Sequence, residues 1–91
     1  MSTLINVKVH TPEGVILDTQ CKMVSSRNIL GNFNIMPFHT NYITNINDNI
    51  ILKMDDDKEN EIPVQMGVLR VNDNMMDIYL VLSPIIAPSE R

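Results

Sequence analysis

A chain of 91 residues with 44% apolar side chains is enough for one compact domain and excludes two independent cores. Its 11 acidic against 7 basic side chains leave a net charge of −4, so counterion release would contribute little and nucleic acid is not an expected partner. Cys21 is the only cysteine, which excludes an internal disulfide, and the opening MSTLINVKVH has no signal-peptide pattern, so a soluble cytoplasmic chain is expected.

In LINVKVH, residues 4 to 10, Ile5, Val7 and Val9 alternate with Asn6, Lys8 and His10, a period of two that puts them on opposite faces of a strand. TPEG at 11 to 14 offers a proline to set φ and a glycine for positive φ, a tight turn into a second strand over Val15 to Asp18. Cys21, Met23 and Val24 suggest a third strand, with the adjacent apolar pair marking a bulge. GNFNIMPFHTNYITNI, residues 31 to 46, reads as a strand, a proline-locked corner and another strand, and NDN at 47 to 49 turns the chain into Ile50 to Met54. DDDKENE, residues 55 to 61, has nothing to bury and is expected at an exposed hairpin tip.

Strands follow at Ile62 to Met66 and Val68 to Val71, with Gly67 between them where a side chain would be unwelcome. NDN at 72 to 74 turns again, and a last strand over Met76 to Leu82 stops at Ser83-Pro84. Ile occurs 12 times and Ala once, a usage that disfavours helices. About eight to ten short strands without a helix predict an all-β antiparallel sandwich or barrel.

The candidate chemistry is thin. His10, His39, Cys21 and Asp18 form no metal-ligand spacing, the three aspartates at 55 to 57 lack the alternation of a calcium loop, and no glycine-rich phosphate motif is present. No nucleophile elbow accompanies the histidines. Neither a catalytic set nor a metal or cofactor is therefore expected. A small sandwich with free edges points instead to a binding or assembly role.

TPEG at 11 to 14, GNFNIMPFHTNYITNI at 31 to 46 and MGVLRVNDNMMDIYLV at 66 to 81 resemble, in that order and spacing, the amino-terminal β-sandwich domain of the epsilon subunit of F-type ATP synthases. That family's outline is a T-P-x-G turn, then G-E-x-G-I-x-P-x-H-x-P, then G-G before an apolar strand. Gly31, Pro37, His39 and Gly67 stand where the motif expects them; Asn32 replaces the acid, Asn41 the second proline and Met66 the first glycine of the pair. Asn34, Asn49 and Asn74 occupy usual glycine positions, and asparagine is the side chain that best tolerates the left-handed region.

The resemblance implies two stacked sheets of about five strands each over residues 1 to 84, with a short tail over 85 to 91. It implies a non-catalytic rotor-stalk subunit without cofactor. Such a subunit binds gamma, acts through it on the alpha/beta hexamer, and rests on a membrane c-ring or a substitute for it. It would lie peripheral to the membrane on its cytoplasmic face. Gly31, Asn34, Pro37 and Gly67 would shape the structure, while Thr11, Asn32, His39, Tyr42 and Thr44 would present contacts; Tyr42 as a core aromatic stays open beside that role. Under this resemblance a chain ending at Arg91 would be expected to lack the carboxyl-terminal helical hairpin through which family members inhibit hydrolysis or bind ATP, and to keep a mechanical task. Two alternatives accompany this reading: an epsilon-like part of a specialised motor, such as a motility-linked one, and a free-standing sandwich that binds a ligand or peptide along an edge strand.

Overall fold

The structure, a computed structural model, describes residues 3–38 and 40–81. They form nine strands: β1 (Ile5–Thr11), β2 (Gly14–Cys21), β3 (Met23–Asn28), β4 (Gly31–Ile35), β5 (Tyr42–Ile46), β6 (Ile50–Lys53), β7 (Glu59–Ile62), β8 (Gly67–Asn72) and β9 (Met75–Leu80). Two sheets stack as a sandwich, one of five strands in the order β2-β1-β9-β8-β5 and one of four in the order β4-β3-β6-β7. The expected pair of roughly five-stranded sheets is therefore five and four.

The two-residue alternation of β1 is realised. Ile5, Val7 and Val9 are fully buried between the sheets, and Asn6, Lys8 and His10 lie half-buried on the outer side. Met76, Ile78 and Leu80 of β9, Leu69 and Val71 of β8, and Val24, Ile35, Ile50 and Leu52 of the other sheet close the same core. Among the described residues no buried side-chain polar atom lacks a hydrogen bond. One neighbour pair departs from the antiparallel rule: β1 runs parallel to β9, with Asn6 opposite Met75 and His10 opposite Tyr79. The chain reaches this arrangement by leaving the first sheet for β3 and β4, returning through β5, and leaving again for β6 and β7.

Several boundaries differ from expectation for physical reasons. β2 continues to Cys21, whose buried side chain faces the core opposite Ile5; Lys22 alone bends the chain across to β3. The irregularity lies earlier, between Val9 and His10, where Ile16 is the extra residue of β2. Glu59, Asn60 and Glu61 belong to β7, paired with Lys53, Leu52 and Ile51, so the exposed tip is confined to 54–58. Pro63 ends β7 after Ile62, since it has no N–H for a ladder, and the strand expected through Met66 is absent. Leu82 and the tail over 85 to 91 lie outside the described residues.

Candidate partner-binding surface

The corner between β4 and β5 is held by the turn between β8 and β9. Asn74 stands in the left-handed region at φ 61°, as expected for an asparagine at a glycine position. Its side chain does what no glycine could: Oδ1 accepts the Phe38 N–H at 2.8 Å and Nδ2 donates to the Leu4 carbonyl at 2.9 Å. Asn41 accepts the Asp73 N–H at 3.2 Å, so the asparagine in the second-proline position gains a tether in exchange for ring rigidity. Phe38, just after Pro37, is left-handed at φ 62° and is 72% exposed.

The other two substituted glycine positions behave differently. Positive φ is absent from Asn34 and Asn49. Asn34 is an ordinary ladder residue of β4, accepting a hydrogen bond from Ser25 Oγ at 2.7 Å. Asn49 acts through its amide, which accepts the Val64 N–H at 3.2 Å and donates to Glu61 at 2.6 Å, joining the start of β6 to the exit of β7. Gly31 opens β4 at φ 122°, closing the two-residue loop Ile29-Leu30. At Gly67 the limit is space: a Cβ would lie 2.8 Å from the Tyr79 carbonyl oxygen.

The four contact candidates among the described residues, Thr11, Asn32, Tyr42 and Thr44, do not assemble into one surface. Thr11 Oγ1 donates to the Gly14 carbonyl at 3.0 Å and accepts the Glu13 N–H, bracing its own turn. Buried Ile46 fixes the phase of β5, so Tyr42 and Thr44 share its inward side. Asn28 Nδ2 reaches across from β3 to donate to the Tyr42 hydroxyl at 3.3 Å and to Thr44 Oγ1 at 3.0 Å, and Tyr42 packs edge-to-face on Phe33. These two half-buried side chains, through Asn28, tie β5 of one sheet to β3 of the other. Asn32 is exposed on the outer face of the four-stranded sheet, and His39 lies outside the described residues.

A separate set of exposed apolar groups shares one face of the sandwich. On the outer face of the five-stranded sheet the pairing aligns Val15, His10, Tyr79 and Val68 across four strands. His10 and Tyr79 stack with centroids 4.5 Å apart, and Met66 and Val81, joined through their backbones, extend the row. Val15, Met66 and Val81 are each more than half exposed. Alongside runs a charged row in which Asp77 accepts His10 Nε2–H at 2.9 Å and faces Arg70 at 3.6 Å, with Lys8 and Asp18 beyond. The outer face of the four-stranded sheet is mostly polar, with Ser25, Arg27, Asn32, Asn34, Lys53, Glu59 and Glu61 around the half-buried Met23 and Ile51. Sequence reading missed the apolar row, although DIYLV and GVLRV carry apolar residues at both parities, which marks strands whose two faces both avoid water.

Titratable groups supply structure. Lys22 Nζ donates to Asp57 at 2.5 Å, and this holds the Asp57 carboxyl below the usual carboxylate range and the Lys22 ammonium above its ordinary value. Burial pushes the Cys21 thiol up. Among the described residues no three His, Cys, Asp or Glu side chains gather as a metal-binding group.

Comparison with known proteins agrees with this architecture. A chain of the Euglena gracilis mitochondrial ATP synthase, in a cryo-EM structure of its OSCP/F1/c-ring part, superposes with a TM-score of 0.81 at 17% identity, over 89% of this chain and 52% of that one. A chain of the Tetrahymena thermophila mitochondrial ATP synthase central stalk and c-ring gives 0.71 at 12% identity, over 84% of this chain and 62% of that one. The present chain thus spans between about half and two thirds of the length of these relatives. Residues 4–80 match the family described as ATP synthase, Delta/Epsilon chain, beta-sandwich domain, and with three quarters or more of its length so matched the chain belongs to that family.

Proposed function

We propose that this domain is a non-catalytic central-stalk component of an F-type or F-type-like rotary ATPase, docking on a gamma subunit through the outer face of its five-stranded sheet. The observation that carries the reading is the apolar row Val15–Tyr79–Val68 with Met66 and Val81, flanked by the charged row around Asp77. An apolar centre with a charged rim is the anatomy of a specific protein interface, and a monomer gains nothing by presenting it to water. Thr11 braces the turn beside this row and lies at its rim. Through gamma the domain acts on the alpha/beta hexamer and helps couple nucleotide chemistry to rotation, at the cytoplasmic side of a membrane ring or of whatever replaces it.

The test is capture of the tagged chain from its native cells in mild detergent, with co-purifying chains identified by mass spectrometry. Recovery of gamma with alpha and beta is the expected result. Substituting Tyr79→Lys together with Val68→Lys should lower gamma recovery by about tenfold or more, the loss typical of removing a central interface anchor. Capture of the chain without ATPase subunits, or undiminished recovery with the double variant, refutes the stalk reading or the assigned face respectively.

A further inference from the structure

Residues 28 to 47 contain no Asp, Glu, Lys or Arg, and this run supplies β4 and β5, one lateral edge of each sheet. A free edge exposes unpaired N–H and C=O groups, and proteins ordinarily blunt such edges with charge, proline or a bulge. The opposite edges follow that rule. β7 carries Glu59 and Glu61 and ends at Pro63, and β2 is bulged at Ile16 and carries Asp18. β4, with the sequence Gly-Asn-Phe-Asn-Ile, has none of these devices.

We infer that the free edge of β4 is a self-association surface whose partner is β4 of a second copy of this chain, paired antiparallel about Phe33. The sequence is self-complementary in that register: Asn32 of one copy stands opposite Asn34 of the other, and Phe33 meets Phe33. Both asparagines are exposed on the outer face of the sheet, where facing amides can exchange hydrogen bonds. Continuing the register sets Leu30 of one copy beside Met36 of the other and Ile29 beside Pro37.

That continuation brings Ile29 and Leu30, the two most exposed apolar residues described, to Pro37 and Met36 of the other copy. Ile29 and Leu30 form the β3–β4 loop at 92% and 91% exposure, and Met36 and Phe38 follow β4 at 55% and 72%. Two apolar clusters at the two ends of one strand meet only when the strands run antiparallel. Centring β5 on itself at Thr44 gives no such match, since it opposes Ile43 with Asn45 and Tyr42 with Ile46. Phe38 adds a separate indication. An aromatic residue in the left-handed region is strained, and at 72% exposure Phe38 gains little burial within the monomer.

The dimer so formed is one continuous sheet across both copies and leaves the outer face of the five-stranded sheet free. A five-residue pairing with two small apolar clusters is a weak interface, so association is expected only at high concentration. Sedimentation equilibrium of the full chain up to about 1 mM tests it. The expected result is a rise of apparent mass toward twice 10.4 kDa, abolished by Asn32→Lys with Asn34→Lys, which sets like charges opposite each other, and weakened by Phe38→Gly.

Register is read separately. An equimolar mixture of Asn32→Cys and Asn34→Cys chains should form an intermolecular disulfide under mild oxidation, at least tenfold faster than Asn34→Cys alone. A chain that stays monomeric at about 1 mM, a dimer untouched by the lysines, or equal cross-linking in the mixture and the single variant each overturns the inference. Loss of gamma capture by the lysine pair with self-association intact also overturns it, because the edge would then belong to the stalk contact.

Discussion

Replacing Gly67 by Ala isolates the packing demand at the start of β8. The added Cβ would lie 2.8 Å from the Tyr79 carbonyl oxygen, 3.1 Å from Leu80 Cδ2 and 3.5 Å from Ile46 Cγ1. The last distance is ordinary contact and the second is to the end of a side chain that can rotate. The first is to the backbone of β9, a central strand held by ladders to β1 and β8, and cannot be relieved without shifting the sheet. Overpacking of this kind costs about 1–3 kcal/mol. Alanine returns about 0.4–1 kcal/mol by restricting the unfolded chain. A net loss of about 1–2 kcal/mol should lower Tm by about 4–15 °C in a domain of this size, read by far-UV circular dichroism. Adding Leu80→Val removes the side-chain contact but not the carbonyl, so Gly67→Ala should remain destabilising in that background. An unchanged Tm, or full recovery of the Gly67→Ala effect beside Leu80→Val, would show that the β9 backbone is not what excludes a side chain here.

Asn74→Gly keeps the left-handed backbone but removes the bonds to Phe38 and Leu4, and should cost about 1–3 kcal/mol; Asn74→Ala should cost about 1 kcal/mol more, with urea denaturation ranking the three chains. Asn28→Ala leaves the Tyr42 hydroxyl and Thr44 without their shared donor and should destabilise by about 1–2 kcal/mol in the same assay, an effect that Asn32→Ala on the outer face should not reproduce. For Lys22 and Asp57 the signs are opposite. The depressed Asp57 value gives a contribution present above the ordinary carboxylate pKa and lost as pH falls through the folded one, and the raised Lys22 value gives one present below the ordinary lysine pKa and lost as pH rises through the folded one. The Tm difference between the parent and Asp57→Asn should therefore be flat between about pH 5 and 10 and shrink in acid. Cys21, fully buried with its thiol pKa raised, should resist alkylation in the native chain and react at the rate of global unfolding, as mass spectrometry would show.

Local patterns carried much of the fold. The alternation in LINVKVH, the turn at TPEG and the NDN before β9 each predict their own geometry, because a short-range steric preference decides them. The parallel pairing of β1 with β9 had no such signal, since the partners are brought together only after seven intervening strands have been laid down. The loop Ile29-Leu30 escaped for the opposite reason: apolar residues in a turn contradict the composition by which turns are read, and the turn is set by Asn28, whose Oδ1 accepts the Leu30 N–H at 2.9 Å. Motif position identified the asparagines at 34, 49 and 74 as a group, while the backbone separates them. Only Asn74 is needed for φ, and the other two act as a ladder residue and an amide cross-tie. The inward side shared by Tyr42 and Thr44 follows from the phase of β5, which buried Ile46 sets and the sequence alone does not.

The distribution of charge along the chain becomes a distribution over the surface because each lateral edge is built from one stretch of sequence. The uncharged run from 28 to 47 forms β4 and β5, whereas β7, the opposite edge of the four-stranded sheet, follows the acidic run beginning at Asp55. The five-stranded sheet adds a second asymmetry perpendicular to the first, since its outer face is apolar in one row and charged in the next, while the other sheet's outer face is mostly polar. A partner lying flat on the apolar row and a strand adding to β4 therefore use different surfaces with different physics. The first depends on apolar burial with a charged rim, and the second on main-chain hydrogen bonds between strands that facing lysines would hold apart. Lysines at 68 and 79 should weaken only the former and lysines at 32 and 34 should abolish only the latter. A chain carrying either pair then reports on one surface while the other serves as its internal control for folding.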